Sequence, residues 1–349
     1  MRKGLVATFC VALLIFMVLP ATISLPADIE LEQDDSVISE SSSRSTSTGA
    51  LAWEWAQKAG GSSGDDQSNA IEVDSNGDVY VTGAFEQTAT FGSTTLTSAG
   101  MDDIFVAKMN STGHWLWAIQ AGGLNDDQGM ELAIDSSGDI FVTGKFQTTA
   151  QFGSDSMTAG PTSNDDFFIA KIDTWGNWQW VEGADCHNNG RCYGTSVAVD
   201  SAGYAYVTGS FTRDIDFGTT TLTWAGVEDI FVAKIDTWGN WQWATMAGGA
   251  QGYDVAHSID IGPNGNAFIA GYFQFTSDFG SSSLTSNGGS DVFIAKISQQ
   301  GDWVWTEAAG GSSSSVAYAI SVDSQGSVFV AGGFYTGITF GNISYSTGG

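Results

Sequence analysis

Residues 70–85 read A-I-E-V-D-S-N-G-D-V-Y-V-T-G-A-F, two β-rich runs about a polar turn that contains a glycine. Ile71 and Val73 alternate with polar neighbours, and Val79 to Phe85 is a second run of β-branched, aromatic and small residues. A short turn between such runs is a hairpin signal. Gly77 falls where the turn demands a positive φ, a conformation that costs other residues a steric penalty. Equivalent turns read S-S-G-D (136–139), S-A-G-Y (201–204), P-N-G-N (263–266) and S-Q-G-S (324–327).

The hairpin recurs because the whole chain recurs. The glycine of V-T-G-x-F falls at Gly83, Gly144, Gly209, Gly271 and Gly332, with spacings between 61 and 65 residues. Phe-Gly pairs begin at Phe91, Phe152, Phe217, Phe279 and Phe340. Tryptophan pairs stand at Trp53/Trp55, Trp115/Trp117, Trp178/Trp180, Trp241/Trp243 and Trp303/Trp305. The stretch D-x-F-[VI]-A-K starts at Asp103, Asp166, Asp229 and Asp291. A fixed period of this length marks a repeat architecture, in which each unit needs its neighbours to bury its faces.

One unit reads as four short antiparallel strands: A-I-E-V-D, V-Y-V-T-G-A-F, D-I-F-V-A-K-M and W-L-W-A-I-Q. A longer link over residues 86–101 carries the Phe-Gly pair. No segment after the N-terminal run shows helical periodicity. Four-stranded sheets in series point to an all-β β-propeller, with about five repeats present. The order of these motifs resembles the SBBP-type β-propeller repeat of secreted microbial proteins over residues 53–349. That resemblance implies a propeller scaffold, usually extracellular. It implies no shared chemistry and no catalytic residue. The fifth unit stops at Gly349, where a fifth D-x-F-V-A-K is due, so the last blade is expected to be incomplete and the sequence to be part of a longer chain.

The first 27 residues read as a secretory signal peptide: Arg2 and Lys3, an uncharged run from Gly4 to Leu19, Pro20, then small residues up to Ala27. Residues 28–50 are acidic and then Ser/Thr-rich, a composition expected of a disordered stalk. Residues 51–349 hold the repeats. The formal charge is −28, and loss of Arg2 and Lys3 takes it to −30. Such a surface excludes nucleic acid and anionic membrane as partners; the export signal is the one expected contact with a membrane. Cys186 and Cys192, in D-C-H-N-N-G-R-C, are expected to form a disulfide in an exported protein, worth about 2 kcal/mol in so short a loop.

The recurring lysines Lys108, Lys171, Lys234 and Lys296 suggest structural ion pairs, with Asp103, Asp166, Asp229 and Asp291 or with loop aspartates as partners. Asp74, Asp135, Asp200 and Asp323 are expected to accept turn N–H groups. D-S-N-G-D lacks the spacing and distal glutamate of a calcium loop, so no metal or cofactor is expected beyond weak calcium at Asp65/Asp66 or Asp126/Asp127. The segment A-K-I-D-T-W-G-N-W-Q-W is identical at 170–180 and 233–243. It sets Trp175 and Trp238 in a turn, where an exposed indole can stack on a sugar or a partner surface; the bland alternative lays each ring on its own unit. Glu72 and Asp260 are the irregular acids in first strands whose counterparts are Ala133, Ala198 and Ser321.

These readings converge on an exported, non-enzymatic scaffold for adhesion or for protein or carbohydrate binding at the cell exterior. The alternatives are a polysaccharide hydrolase or lyase using first-strand acids, or a spacer for a domain further along the chain.

Overall fold

The computed structural model describes residues 55–160, 165–188 and 190–346, together with a two-residue strand at Leu13–Leu14. The expected signal peptide and stalk lie otherwise outside the described residues. Every element in the described residues is a strand or a turn, and all sheets are antiparallel. No helix among them is long and apolar enough to cross a membrane.

In repeat one the strands are Asp66–Val73, Val79–Phe91, Thr94–Met109 and Trp115–Gly123. They pair in chain order, first to second, second to third, third to fourth. Repeats two, three and four do the same, from Gln128–Ile134 to Trp178–Gly183, Cys192–Val199 to Trp241–Gly248, and Val255–Ile261 to Trp303–Gly310. The first turn is tied by one carboxylate: Asp74 Oδ1 accepts the N–H groups of Asn76 and Asp78 at 2.9 and 3.0 Å. Gly77 takes φ +79°, as its place in the turn requires.

The link expected over residues 86–101 is not a loop. It is an extension of the second and third strands that folds back as a hairpin about the Phe-Gly pair. In later repeats the hairpin stands apart, as Thr149–Phe152 with Asp155–Thr158 in repeat two. It joins the sheet of the repeat before it: Ala121 pairs with Phe152, Ala247 with Phe279 and Ala309 with Phe340. The alternation in T-A-Q-F-G-S-D-S-M-T carries that signal. The buried phenylalanine meets the first tryptophan of its own repeat edge-on, as Phe152 does Trp178 at 5.3 Å. A Cβ on Gly153, at φ +60°, would come 3.0 Å from that indole.

The second tryptophan of each pair reaches the next repeat. Trp117 Nε1 donates to Thr174 O at 3.2 Å, Trp180 to Thr237 O at 3.1 Å and Trp243 to Gln299 O at 2.9 Å. The core therefore lies between units. One cluster joins Tyr80, Ile104 and Val106 of repeat one to Leu132, Ile140 and Phe168 of repeat two. Another joins Phe141, Phe167 and Ile169 to Val197, Val207 and Phe231. Alternate residues of D-I-F-V-A-K-M serve opposite interfaces, which explains a strand with no polar face. Each buried Phe, Ile or Val contributes about 1.5–3 kcal/mol.

Repeat five has its first strand, Ser315–Val322, its second, Val328–Phe334, and its hairpin. Phe329 is 59% exposed where its counterpart Tyr80 is fully buried. No third strand pairs with Val328–Phe334 among the described residues. Strand pairing among the described residues does not join the last repeat to the first.

Candidate binding face

The turn between third and fourth strands is built from D-T-W-G-N. In repeat two, Asp173 Oδ1 accepts the N–H of Trp175 at 3.0 Å and of Asn177 at 2.9 Å, and Gln179 Nε2 donates to Asp173 Oδ2 at 3.1 Å. Burial would raise the Asp173 carboxyl, but the hydrogen bonds from Asn177 and Trp175 outweigh it and hold it below the usual carboxylate range. Asp236 ties the turn of repeat three in the same way. Beneath each turn lies the tryptophan of the preceding repeat. A Cβ on Gly176 would come 3.0 Å from Trp117, and one on Gly239 3.4 Å from Trp180. The inner side of the turn is thus occupied, and the turn indole projects outward. Trp175 is 76% exposed and Trp238 77%.

The recurring lysines turn to the first-turn aspartates, not to the aspartates of their own strands. Lys108 Nζ lies 3.0 Å from Asp78 Oδ2 and Lys171 Nζ 2.9 Å from Asp139 Oδ2. Lys234 Nζ lies 3.2 Å from Asp200 Oδ2 and donates to Tyr206 Oη at 2.6 Å. Lys296 sits over the Phe268 ring at 5.2 Å. Its turn offers Gly262 where the other repeats have Asp, and Asn266 where repeats one and two have Asp. Asp103, Asp166, Asp229 and Asp291 lie at the far end of the strand, where they accept N–H groups from Ala99, Gly160, Ala225 and Asn287.

The first strands of successive repeats pack on one another. Each carries a β-bulge, at Asn69, Met130, Thr195, His257 and Tyr318. The bulge aims that side chain at the next unit. Asn69 Nδ2 donates to Gly129 O at 2.8 Å, Thr195 Oγ1 donates to Ala256 O at 2.7 Å, and the His257 and Tyr318 rings lie 5.8 Å apart. Glu72 reaches solvent, yet burial and the charge of Asp260 raise its carboxyl. The structure therefore brings Glu72 and Asp260 into electrostatic contact from repeats one and four. Glu131 joins them: burial, with Glu72 contributing, pushes it up to about 7. Glu131 was missed in the sequence because it stands two residues before the Ala133 that matches Glu72. Strict alternation puts residues 131 and 133 on one face. Asp260 Oδ2 accepts the Val322 N–H at 2.7 Å.

Cys186 and Cys192 form the disulfide, with Cα atoms 6.4 Å apart. With Asp166 they are the one cluster of three metal-ligand types among the described residues, and their sulfurs are bonded to each other. His187 Nε2 is 2.8 Å from Asp216 Oδ2 and belongs to neither. Asp66 and Asp127 turn inward, where they accept N–H groups from Gly61 and Gly123.

Residues 54–84 match the model described as Beta-propeller repeat, SBBP. The chain carries the SBBP repeat. Among curated proteins, this chain is similar to an uncharacterized WD repeat-containing protein, L264, of Acanthamoeba polyphaga mimivirus. The two are 28% identical over 231 residues, covering 56% of this chain and 16% of the relative. It is also similar to the regulatory protein FlaEY of Caulobacter vibrioides, at 26% over 178 residues, covering 49% of this chain and 18% of that protein. The chain thus spans less than a fifth of the length of either relative. A solved structure of a protein of unknown function from Bacteroides caccae aligns at a TM-score of 0.35 and 12% identity, over 65% of this chain and 61% of that one.

Proposed function

We propose that the SBBP repeats form an exported, non-enzymatic propeller scaffold that binds a protein or carbohydrate partner at the cell exterior through Trp175 and Trp238. The observation that carries this reading is the pair of outward indoles on identical turns of neighbouring repeats. An indole held on a rigid turn gives a large apolar contact at little cost in side-chain entropy, and stacks well on sugar rings. The N-terminal composition and the disulfide support export. A glycan array probed with the full chain, with and without calcium, tests it. Selective binding that is lost in Trp175→Ala plus Trp238→Ala supports the reading. Binding unchanged by both substitutions removes the indoles from the contact.

The raised carboxyls of Glu72 and Glu131 beside Asp260 favour one second reading, a polysaccharide hydrolase or lyase that uses first-strand acids. A carboxyl kept protonated near neutral pH suits a general acid, with a neighbouring carboxylate as base or nucleophile. Release of reducing ends or unsaturated products from acidic and neutral polysaccharides, abolished by Glu72→Gln, would establish it.

A further inference from the structure

The strongest unexplained chemistry lies at the junctions between repeats. Asp103 stands one residue before the pairing of the third strand with the fourth begins at Ile104, Asp127 opens repeat two, and they are 1% and 0% exposed. Asp103 Oδ1 and Asp127 Oδ2 stand 2.8 and 3.0 Å from the point that a Cβ on Gly122 would occupy, so glycine is required between them. Asp127 is satisfied: Oδ2 accepts the Gly123 N–H at 2.6 Å and Oδ1 the Gln147 N–H at 2.8 Å. Asp103 Oδ2 accepts the Ala99 N–H at 3.0 Å, but Oδ1 is buried without a hydrogen-bond partner. The junction of repeats three and four is similar, although a Cβ on Gly248 would meet Asp229 first and not both acids. Asp229 and Asp254 are fully buried, and Asp254 accepts N–H groups from Gly249 and Gln274 and the Ser277 hydroxyl; Asp229 Oδ1 has no hydrogen bond of good geometry, with the Gly226 and Gly249 N–H groups near enough only to lower its carboxyl.

An unpaired carboxylate oxygen buried beside a second carboxylate is costly unless a proton lies between them. We propose that each pair, Asp103/Asp127 and Asp229/Asp254, holds one proton between its two carboxyl groups, so that these junctions are tight at mildly acidic pH and loosen as pH rises. Asp103 Oδ1, or Asp229 Oδ1, is then the donor to the facing carboxylate, and no buried oxygen is left unpaired. A cation fits less well. Both oxygens of Asp127 already face N–H groups, whereas calcium asks for six to eight oxygen ligands.

Charges around each pair raise its carboxyls, and hydrogen bonds from nearby N–H and hydroxyl groups act the other way. Asp102 and Asp126 face the first pair, with the amides of Gln120 and Gln147; Glu228 faces the second, with Ser277 and Gln274. Burial, helped by these charges, outweighs the hydrogen bonds and pushes Asp103 and Asp229 up to about 6 and Asp127 and Asp254 to about 7. An aspartate in the unfolded chain titrates near about 3.9. Folding therefore takes up protons over this range. The stability these groups contribute is fully present below the unfolded value and is lost as pH rises through 6 and 7.

The test is the thermal midpoint of the full chain from about pH 5 to about pH 8, in chelator and then in calcium. The midpoint is expected to fall as pH rises in chelator. Asp103→Asn plus Asp229→Asn replaces the shared proton by a permanent N–H donor, and is expected to keep the acid-side midpoint with a shallower slope, the remainder belonging to Glu131 and Glu72. A wild-type midpoint that is flat or rises over this range overturns the proposal, as does a double variant with the full wild-type slope. Calcium that restores the midpoint at the basic end in wild type would show that the pairs hold a cation instead. Should the variant not fold, the infrared carbonyl band of protonated carboxyl near pH 6 decides, read in Glu72→Gln plus Glu131→Gln so that these two acids do not contribute: present, it supports the shared proton; absent, it overturns it.

Discussion

Cys192 occupies in repeat three the strand position that Asp127 occupies in repeat two, and its bonded partner Cys186 occupies the position of Gly123. The disulfide therefore stands where the other junctions use an N–H to carboxylate bond, Gly61 to Asp66, Gly123 to Asp127 and Gly249 to Asp254. Repeat five varies the theme again: Ser315 replaces the acid, and the Gly311 N–H turns to Asp291 at 3.3 Å.

The two locks are expected to be interchangeable. Cys186→Gly plus Cys192→Asp should fold, and its unfolding midpoint should be insensitive to reductant. Wild type should lose about 2 kcal/mol on reduction. Either substitution alone leaves half a lock and should cost more than the pair together. Urea titrations with and without reductant read all four values; a double variant less stable than both singles would break the equivalence.

The lysines should differ by repeat. Lys171→Met leaves Asp135 and Asp139 without their cation in a nearly buried site and is expected to cost about 2–3 kcal/mol. Lys296→Met, with no carboxylate within ion-pair distance among the described residues, should cost less than about 1 kcal/mol. Denaturant midpoints at constant m-value compare them directly.

Tryptophans of the same segment should separate by role. Trp117→Ala removes both a buried indole face beneath Gly176 and a hydrogen bond to the next repeat, and is expected to cost about 3–5 kcal/mol. Trp175→Ala, on the outer side of that turn, should change stability by no more than about 0.5 kcal/mol. Equal costs in calorimetry would show that Trp175 packs rather than presents.

Much of the fold was legible because repetition turns one segment into five observations. Turn glycines, tryptophan pairs and D-x-F-[VI]-A-K strands each fell at a constant place, and the strand order followed. The hairpin around Phe152 was read as a link because its strands are only four residues long and half polar. They owe their pairing to the preceding repeat, which no window on one unit contains. The site was less legible for a related reason. Glu72 and Asp260 stood out as irregular, but Glu131 reaches them from a different strand position. The acid partners of Lys108 and Lys171 lie in a turn about 30 residues away, while nearer acids in the same strand point to the other end. Which of two plausible carboxylates meets a lysine depends on register, and register is set by pairing across the sheet.

The hairpins give the chain a direction. In repeats two, four and five each completes the sheet of the unit before it, and in repeat three it pairs with Asp185–Cys186, just past the fourth strand of repeat two. A chain threaded through a membrane from its N-terminus would therefore close behind itself, every new repeat latching its predecessor and leaving one unfinished edge at the exit. Such a molecule assembles as a ratchet, and its least protected moment is the pause before the next hairpin emerges.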